Sequence, residues 1–310
     1  MKINLTNIKK AKKLLKSNEC VAIPTETVYG LAGNAYSNRA CRKIFTLKKR
    51  PKNNPLIVHY YDLKQLNNDC NYNDVFLKMY KKFCPGPITF ILNLKKSTKI
   101  SKFATNNKKT LAIRFPNHKI TKRLLKILDF PLAAPSANLS SKLSAVTSSE
   151  VREDFGKKIK YILEGGKSSL GLESTIVDLR NKPKILRLGS MEISIIKNTL
   201  KKRIDLNNNP SKIYSPGQLK LHYSPGIPIR LNAKKSKINE AYLLIKKKKK
   251  TKINHYFLSK SGNLKEAAKN LYSVLRTIKK NGYKKIAIEK IPNISIGEAI
   301  NDRILRASKK

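Results

Sequence analysis

The chain reads as an α/β protein: a larger domain on a twisted, mixed sheet, a connecting segment, and a small Rossmann-like second domain. Three observations predict this. Helical and strand-type segments are interleaved through residues 1–202 without the strict alternation of a βαβ array, which points to a sheet with both parallel and antiparallel neighbours. Across residues 203–226 regular periodicity gives way to Asn207-Asn208-Asn209-Pro210, Ser215-Pro216-Gly217 and Ser224-Pro225-Gly226, runs that form turns more readily than packed elements. Over residues 227–310 strand and helix patterns resume, in the order of a small parallel α/β unit.

Each element has a local reason. Ile8, Ala11, Leu14 and Leu15 recur at helical spacing within residues 7–18. The short apolar run 21–23, ending at Pro24, predicts a buried strand. Residues 39–48 place Ala40, Ile44, Phe45 and Leu47 on one side of a helix, and 56–58 is a strand. Residues 74–83 form a helix stopped by Pro85-Gly86-Pro87. Strands are predicted at 88–94, 111–115, 131–134, 161–163, 175–179 and 185–188. Thr147 and Glu150 have capping-box spacing ahead of a further helix. In the second domain, strands at 227–230, 242–245, 256–258 and 285–289 accompany a helix over 264–280, which ends before Gly282. Ser295 and Glu298 repeat the capping-box spacing before a last helix. There is no internal repeat.

Composition bounds the function. The chain has 310 residues, 40% hydrophobic and 28% charged, enough for two domains with real cores. No run reaches the roughly 18 apolar residues a membrane span needs, and the N-terminus lacks the apolar stretch of a secretory signal. A cytoplasmic protein is expected. The four cysteines, Cys20, Cys41, Cys70 and Cys84, form no CxxC pair and are read as reduced thiols. The net charge of +48 attracts phosphates and RNA. Lysine is accompanied by abundant asparagine and isoleucine, however, as an AT-rich coding bias produces, and the run 246–250 reads as the solvated end of a strand. Charge alone does not decide function.

Loops leaving strands are where α/β sheets bind ligands. Four hold polar residues that stability does not require: 24–30, 48–55, 135–138 and 173–175. Gly166-Lys167-Ser168 resembles the end of a P-loop, but Tyr161 stands where its first glycine belongs. No GxGxxG, GxSxG or paired-histidine metal spacing occurs. A nucleotide, if bound, is held by Arg, Lys, Ser, Thr and Asn through charge-assisted hydrogen bonds.

Six fragments in order carry a family resemblance. They are Pro24-Thr25-Glu26-Thr27-Val28-Tyr29-Gly30-Leu31, Lys48-Lys49-Arg50, Asn54-Pro55-Leu56-Ile57-Val58-His59, Ala112-Ile113-Arg114-Phe115-Pro116, Ser136-Ala137-Asn138 and Ser174-Thr175-Ile176-Val177-Asp178. Together they resemble the YrdC family, whose signature is K-x-R followed by S-x-N. The segment from Ser215 to Pro225, with Ala268-Lys269-Asn270-Leu271 and Gly297-Glu298-Ala299-Ile300-Asn301-Asp302-Arg303, resembles the linker and C-terminal domain of its long, two-domain threonylcarbamoyl-AMP synthases. Lys49, Gln218 and Ser224 depart from the commonest residues there.

The resemblance implies a YrdC-like catalytic domain at 1–202, a linker or lid at 203–226 and a second domain at 227–310. It implies that threonine and bicarbonate combine as N-carboxythreonine, whose carboxylate attacks the α-phosphate of ATP and releases pyrophosphate. The product serves machinery that modifies tRNA. By resemblance, Arg50, Asn54, Thr110, Ser136, Ser144, Ser174, Arg187 and Tyr223 hold ATP, with Asn138 completing that set. Thr27, His59, Arg114 and the backbone near Ala134 hold threonine. Lys48 and Arg50 are the catalytic pair, with Lys48 and Asn138 at the phosphates. Mg2+ accompanies ATP, with no dedicated carboxylate site. Residues 214–225 are expected to lie over the pocket as a lid, Tyr223 reaching the nucleotide. The alternative is an RNA- or ribosome-binding module without synthase activity, favoured by the charge and opposed by an intact ATP-holding set.

Overall fold

The structure is a computed structural model, and it describes residues 4–201, 204–207 and 222–309. The first domain is built on an eleven-stranded mixed sheet. Its order is Asp205–Leu206, Lys184–Arg187, Thr175–Asp178, Ile88–Leu94, Thr110–Arg114, Ile57–His59, Leu132–Ala133, Gly30–Asn34, Val21–Ile23 and Tyr161–Ile162, with Cys70–Asn71 pairing beside Ile88–Leu94. Parallel and antiparallel pairs are mixed, as expected. The helices Leu5–Lys16, Asn38–Lys48, Asp74–Phe83 and Ser148–Phe155 form where the apolar spacing predicts them. Asn4, Ser37, Asn73 and Thr147 accept backbone N–H groups at their starts, removing the unpaired donors that destabilise a helix end. Thr147 and Glu150 make the full capping box.

Several elements were not expected. The strand Gly30–Asn34 and the helices Lys119–Lys126 and Ile193–Leu200 fall largely in stretches where the sequence predicts no element. Asp205–Leu206 pairs in parallel with Lys184–Arg187, so the first sheet runs two residues into the segment expected as linker. Residues 208–221 lie outside the described residues. They include Asn208, Asn209, Ser215-Pro216-Gly217, Gln218 and the expected lid positions 214–221.

In the second domain four strands, Ile229–Arg230, Lys285–Ile288, Glu240–Lys246 and His255–Ser259, lie side by side and all parallel. The helix Leu264–Lys280 makes the one helical crossover between strands among the described residues, and Gly297–Ser308 follows the last strand. That last helix corrects an expectation: Ile296 is its N-cap and no side chain caps it, while the Ser295 hydroxyl donates to Glu192 instead. Lys246 ends its strand and 247–250 are exposed, as the solvated-end reading expected. The four cysteines are free thiols, three of them buried. No described helix is long and apolar enough to cross a membrane.

The two domains share one apolar core, which runs from Val58 and Phe90 in the first to Leu271 and Ile300 in the second. The helix Leu264–Lys280 seals the joint. Arg276 donates to both oxygens of Asp154, at 3.0 and 2.8 Å, and Ser273 donates to Glu150 at 2.8 Å. Gly171 permits the approach: its φ is +77°, and a Cβ there would lie 2.4 Å from the Lys269 Cα.

Candidate active site

Strand register builds the site. His59 pairs with Arg114, Arg114 with Thr89, Thr89 with Ile176, and Ile176 with Arg187. Register partners point to the same face of a sheet, so five neighbouring strands deliver one row of side chains. A register shift between Ile185 and Arg187 is a bulge that re-aims Arg187 into this row. Beside it on the same face, Ile57, Ile91, Ala112, Leu186 and Ile176 of the row itself form a small apolar cluster.

A cavity lies over the row. Arg50, His59, Arg114, Ala134, Ser136, Ser174, Arg187 and Tyr223 line it, together with Glu173 and His222. Its free space is small: about 40 Å³ is open to the centres of water molecules, room for a few waters rather than a nucleotide. Three arginines and one glutamate face it. Arg50 donates through Nε to the Asn54 carbonyl at 2.9 Å and through Nη2 to the Pro55 carbonyl at 2.8 Å. Burial, then the charge of Arg187, presses the Arg50 pKa down to about 9. Arg187 donates to the Ser174 carbonyl and to its Oγ, both at 3.0 Å. Gly189 backs onto this turn so closely that a Cβ would lie 2.4 Å from the Glu173 carbonyl oxygen.

Arg114 donates through Nη2 to Glu26 Oε1 at 2.7 Å, while its buried Nε has no partner among the described residues. Burial, then the Arg114 charge, holds the His59 pKa well below the ordinary histidine range, so its ring is neutral. His59 Nδ1 and the Tyr223 hydroxyl are likewise buried without partners among the described residues. Native interiors rarely leave such groups unpaired, and these converge on a cavity.

Six expected site residues stand apart from the lining. Lys48 is the first of them. It lies behind the wall, 1% exposed, and Nζ donates to the Ser136 and Asn138 carbonyls at 2.6 and 2.5 Å. Its ammonium therefore braces the S-x-N loop instead of facing the cavity. Asn138 shapes the same loop, donating to the Leu139 and Lys142 carbonyls at 2.7 and 2.9 Å. Asn54 is fully buried, and neither amide atom has a partner among the described residues. Thr27 is buried against the Thr25 hydroxyl at 2.8 Å. Ser144 donates to Glu173 Oε1 at 2.5 Å, from behind that residue. Thr110 begins the strand that Arg114 ends, about 13 Å away at roughly 3.3 Å per residue, outside the lining.

Lys49, one of the three departures from the commonest family residues, does not line the cavity. It adopts φ +50° at the end of the helix Asn38–Lys48, with its side chain exposed. The conformation, rather than bulk, favours a glycine there. Sequence reasoning missed Glu173 and His222 as lining residues. Glu173 stood in one of the four loops, but what gives it a role lies far along the chain. The Tyr272 hydroxyl donates to its oxygens at 3.1 and 3.0 Å, and Arg303 Nε at 2.9 Å.

Known proteins resemble the chain over its whole length. A family model for the Sua5, YciO and YrdC proteins, described as telomere recombination, matches residues 13–189. A second, described as the threonylcarbamoyl-AMP synthase C-terminal domain, matches 189–309. The threonylcarbamoyl-AMP synthase of Bacillus subtilis is 33% identical, over 98% of this chain and 94% of its own. That of Pyrococcus abyssi is 32% identical, over 97% and 94%. The crystal structure of P. abyssi Sua5 complexed with L-threonine superposes with a TM-score of 0.91 at 29% identity, covering 99% of this chain and 96% of that one. The buried arginines at the cavity and the two matched domains thus have one explanation: the chain belongs to the Sua5/YciO/YrdC family, in its two-domain threonylcarbamoyl-AMP synthase form.

Proposed function

We propose that this chain joins L-threonine, bicarbonate and ATP into L-threonylcarbamoyladenylate, releasing pyrophosphate. The observation that carries the reading is the small cavity faced by Arg50, Arg114 and Arg187, in a chain similar throughout to named synthases. In this chemistry the attacking carbamate and the phosphates are all anionic. Catalysis then means offsetting their repulsion and aligning them, with no protein nucleophile.

Roles follow from position. Arg114, with its unpartnered Nε, binds the threonine carboxylate, and neutral His59 and the Ala134 backbone complete that end. Arg50, Ser136, Ser174 and Arg187 bind the phosphates, with Tyr223 against the nucleotide. The orphaned amide of Asn54 is a further contact for ATP. Lys48 and Asn138 act by holding the loop that carries Ser136. Thr27, Thr110 and Ser144 support the walls. The carbamate oxygen forms a bond to the α-phosphorus as the bond to pyrophosphate breaks.

Magnesium fits this site as part of the substrate. Both oxygens of Glu173, the one carboxylate among the described lining residues, are already occupied, and Mg2+ is commonly held by phosphates and water with few protein ligands. The ion enters on ATP. The product passes to the transferase machinery that modifies tRNA, in the cytoplasm. Direct contact with tRNA or double-stranded RNA is a separate expectation, read by salt-dependent binding.

The test combines purified protein with ATP, Mg2+, bicarbonate and labelled threonine, and identifies the product by mass spectrometry. Threonine- and bicarbonate-dependent pyrophosphate release with the carbamoyladenylate mass is expected. RNA binding without pyrophosphate release would replace the synthase with a binding module.

A further inference from the structure

The second domain meets the cavity wall through a cluster around Glu173, which lines the cavity and is buried. Its carboxylate accepts from Ser144 of its own domain, and from Tyr272 and Arg303 of the other. Arg303 is 1% exposed. Besides Glu173 it donates to the Leu188 carbonyl at 2.7 Å and to Asp302 at 2.6 Å. Its guanidinium also lies 4.6 Å from the centre of the Tyr223 ring.

Tyr223 is the other half of the cluster. Its φ is +61°, a left-handed conformation that a bulky residue keeps only where its surroundings impose it. Arg303 covers its ring, and Tyr272 stacks on it with centroids 5.9 Å apart. The Ser224 N–H donates to the Ser141 carbonyl at 2.8 Å. The phenol hydroxyl has no partner among the described residues and is left for a ligand.

A carboxylate in the wall of a triphosphate pocket repels its substrate. Here burial would favour protonation of Glu173, but Arg303, Arg187 and the Ser144 hydrogen bond outweigh it and hold the pKa at about 2. The charge therefore persists and has to be balanced. The balancing guanidinium comes from the second domain, in the Asn301-Asp302-Arg303 stretch that no catalytic role yet uses.

We propose that Arg303 is a positioning residue of the active site: it cancels the Glu173 charge and fixes the Tyr223 ring, which makes the cavity receptive to a triphosphate. The second domain thus completes the nucleotide side of the first. This rests on the synthase reading above. Selectivity for one substrate follows from the geometry. Glu173 adjoins Ser174 and Arg187, whereas Arg114 stands three strands from Arg187 across the sheet, about 14 Å at roughly 4.8 Å per strand. Loss of Arg303 should weaken ATP and spare threonine.

The test compares wild type, Arg303→Leu, Glu173→Gln and the double variant. Pyrophosphate release gives KM for ATP and for threonine, and calorimetry gives the ATP Kd without turnover. R303L leaves a buried carboxylate unpaired, so the ATP KM and Kd are expected to rise about tenfold or more, with threonine KM within about twofold. Adding E173Q removes the stranded charge and should recover at least about threefold of that loss. A merely structural Arg303 would make the double variant no better than R303L, and that result overturns the proposal. So does an unchanged ATP Kd, or a threonine KM that rises in parallel. If R303L does not fold, Arg303→Gln carries the same test. It removes the guanidinium charge and keeps a polar side chain, and an unchanged ATP KM and Kd there would likewise overturn the proposal. Wild-type protein that releases no pyrophosphate sinks the synthase reading, while the calorimetric affinities still decide for or against Arg303.

Discussion

The Glu26–Arg114 pair gives a prediction that separates stability from substrate binding. The two side chains are 9% and 5% exposed and meet at 2.7 Å. The second Glu26 oxygen accepts the Asn117 N–H at 3.0 Å. Glu26→Gln keeps one acceptor oxygen, turns its NH2 against the other donor, and leaves the Arg114 guanidinium without a counter-charge. Breaking a buried pair from one side costs about 3–5 kcal/mol; taking the low end, about 3 kcal/mol is expected. At about 2–4 °C per kcal/mol for a domain of this size, the Tm should fall by about 6–12 °C in thermal unfolding followed by circular dichroism. Saturating threonine should then raise the Tm of E26Q more than that of wild type, because its carboxylate supplies the missing charge; at a hundredfold excess over Kd, binding alone contributes about 2.7 kcal/mol. The double variant Glu26→Gln/Arg114→Met carries no stranded charge. It should regain most of the lost Tm and lose the threonine response. A Tm for E26Q within about 2 °C of wild type would refute the energetic argument. An undiminished threonine response in the double variant would remove Arg114 from the substrate site.

Other consequences are simpler to read. Lys48→Met removes both donors to the loop carbonyls of Ser136 and Asn138, yet it also removes a buried ammonium whose desolvation is expensive. Activity should fall by about a hundredfold or more while stability changes by less than about 2 kcal/mol; full activity would show that Ser136 needs no brace. Lys49→Gly relieves a left-handed backbone at φ +50° and should stabilise the protein by about 1 kcal/mol, detectable as a shifted urea midpoint at unchanged m-value. Glu173, held near pKa 2 against an ordinary 4.5, contributes stability that is complete above about pH 4.5 and is lost as pH falls toward 2. The difference corresponds to about 3 kcal/mol. Acid unfolding of Glu173→Gln should lack that part of the slope, and an identical acid limb would argue against a depressed Glu173.

Much of the scaffold was legible because the signals were local. Residues 74–83, 88–94 and 264–280 carry their apolar periodicity and their end signals within a few positions, and they form where expected. The strand Gly30–Asn34 was invisible for the converse reason. Its sequence, Gly-Leu-Ala-Gly-Asn, has no β-branched residue and two glycines, so its extended form comes from pairing with Val21–Ile23 and Leu132–Ala133, not from propensity. The site divides similarly. Arg114, a cation inside an apolar strand, announced itself. The place of Lys48 did not, because its partners are 88 and 90 residues away. Nothing near Glu173 in sequence could reveal Tyr272 and Arg303, at separations of 99 and 130 residues.

The charge balance gains a meaning when acids and bases are separated. The chain has 67 lysines and arginines against 19 acids, so each acid is scarce. Several are committed to buried or half-buried joints: Glu26 to Arg114, Asp154 to Arg276, Glu173 to Arg303, and Asp302 to Arg303 and Arg306. Each of those partners is an arginine, although lysine is far commoner in the sequence. Arginine's planar fork loses less on desolvation and is pre-organised to match the geometry of a carboxylate, which a lysine point charge is not. At exposed positions such as 247–250 no such constraint acts, and lysine accumulates. A compositional drift toward lysine would produce this pattern: it fills the solvated surface and stops at positions where geometry requires a guanidinium. The +48 charge is then mainly a property of the surface, while a few buried arginines and the acids that face them hold the cavity wall and the joints.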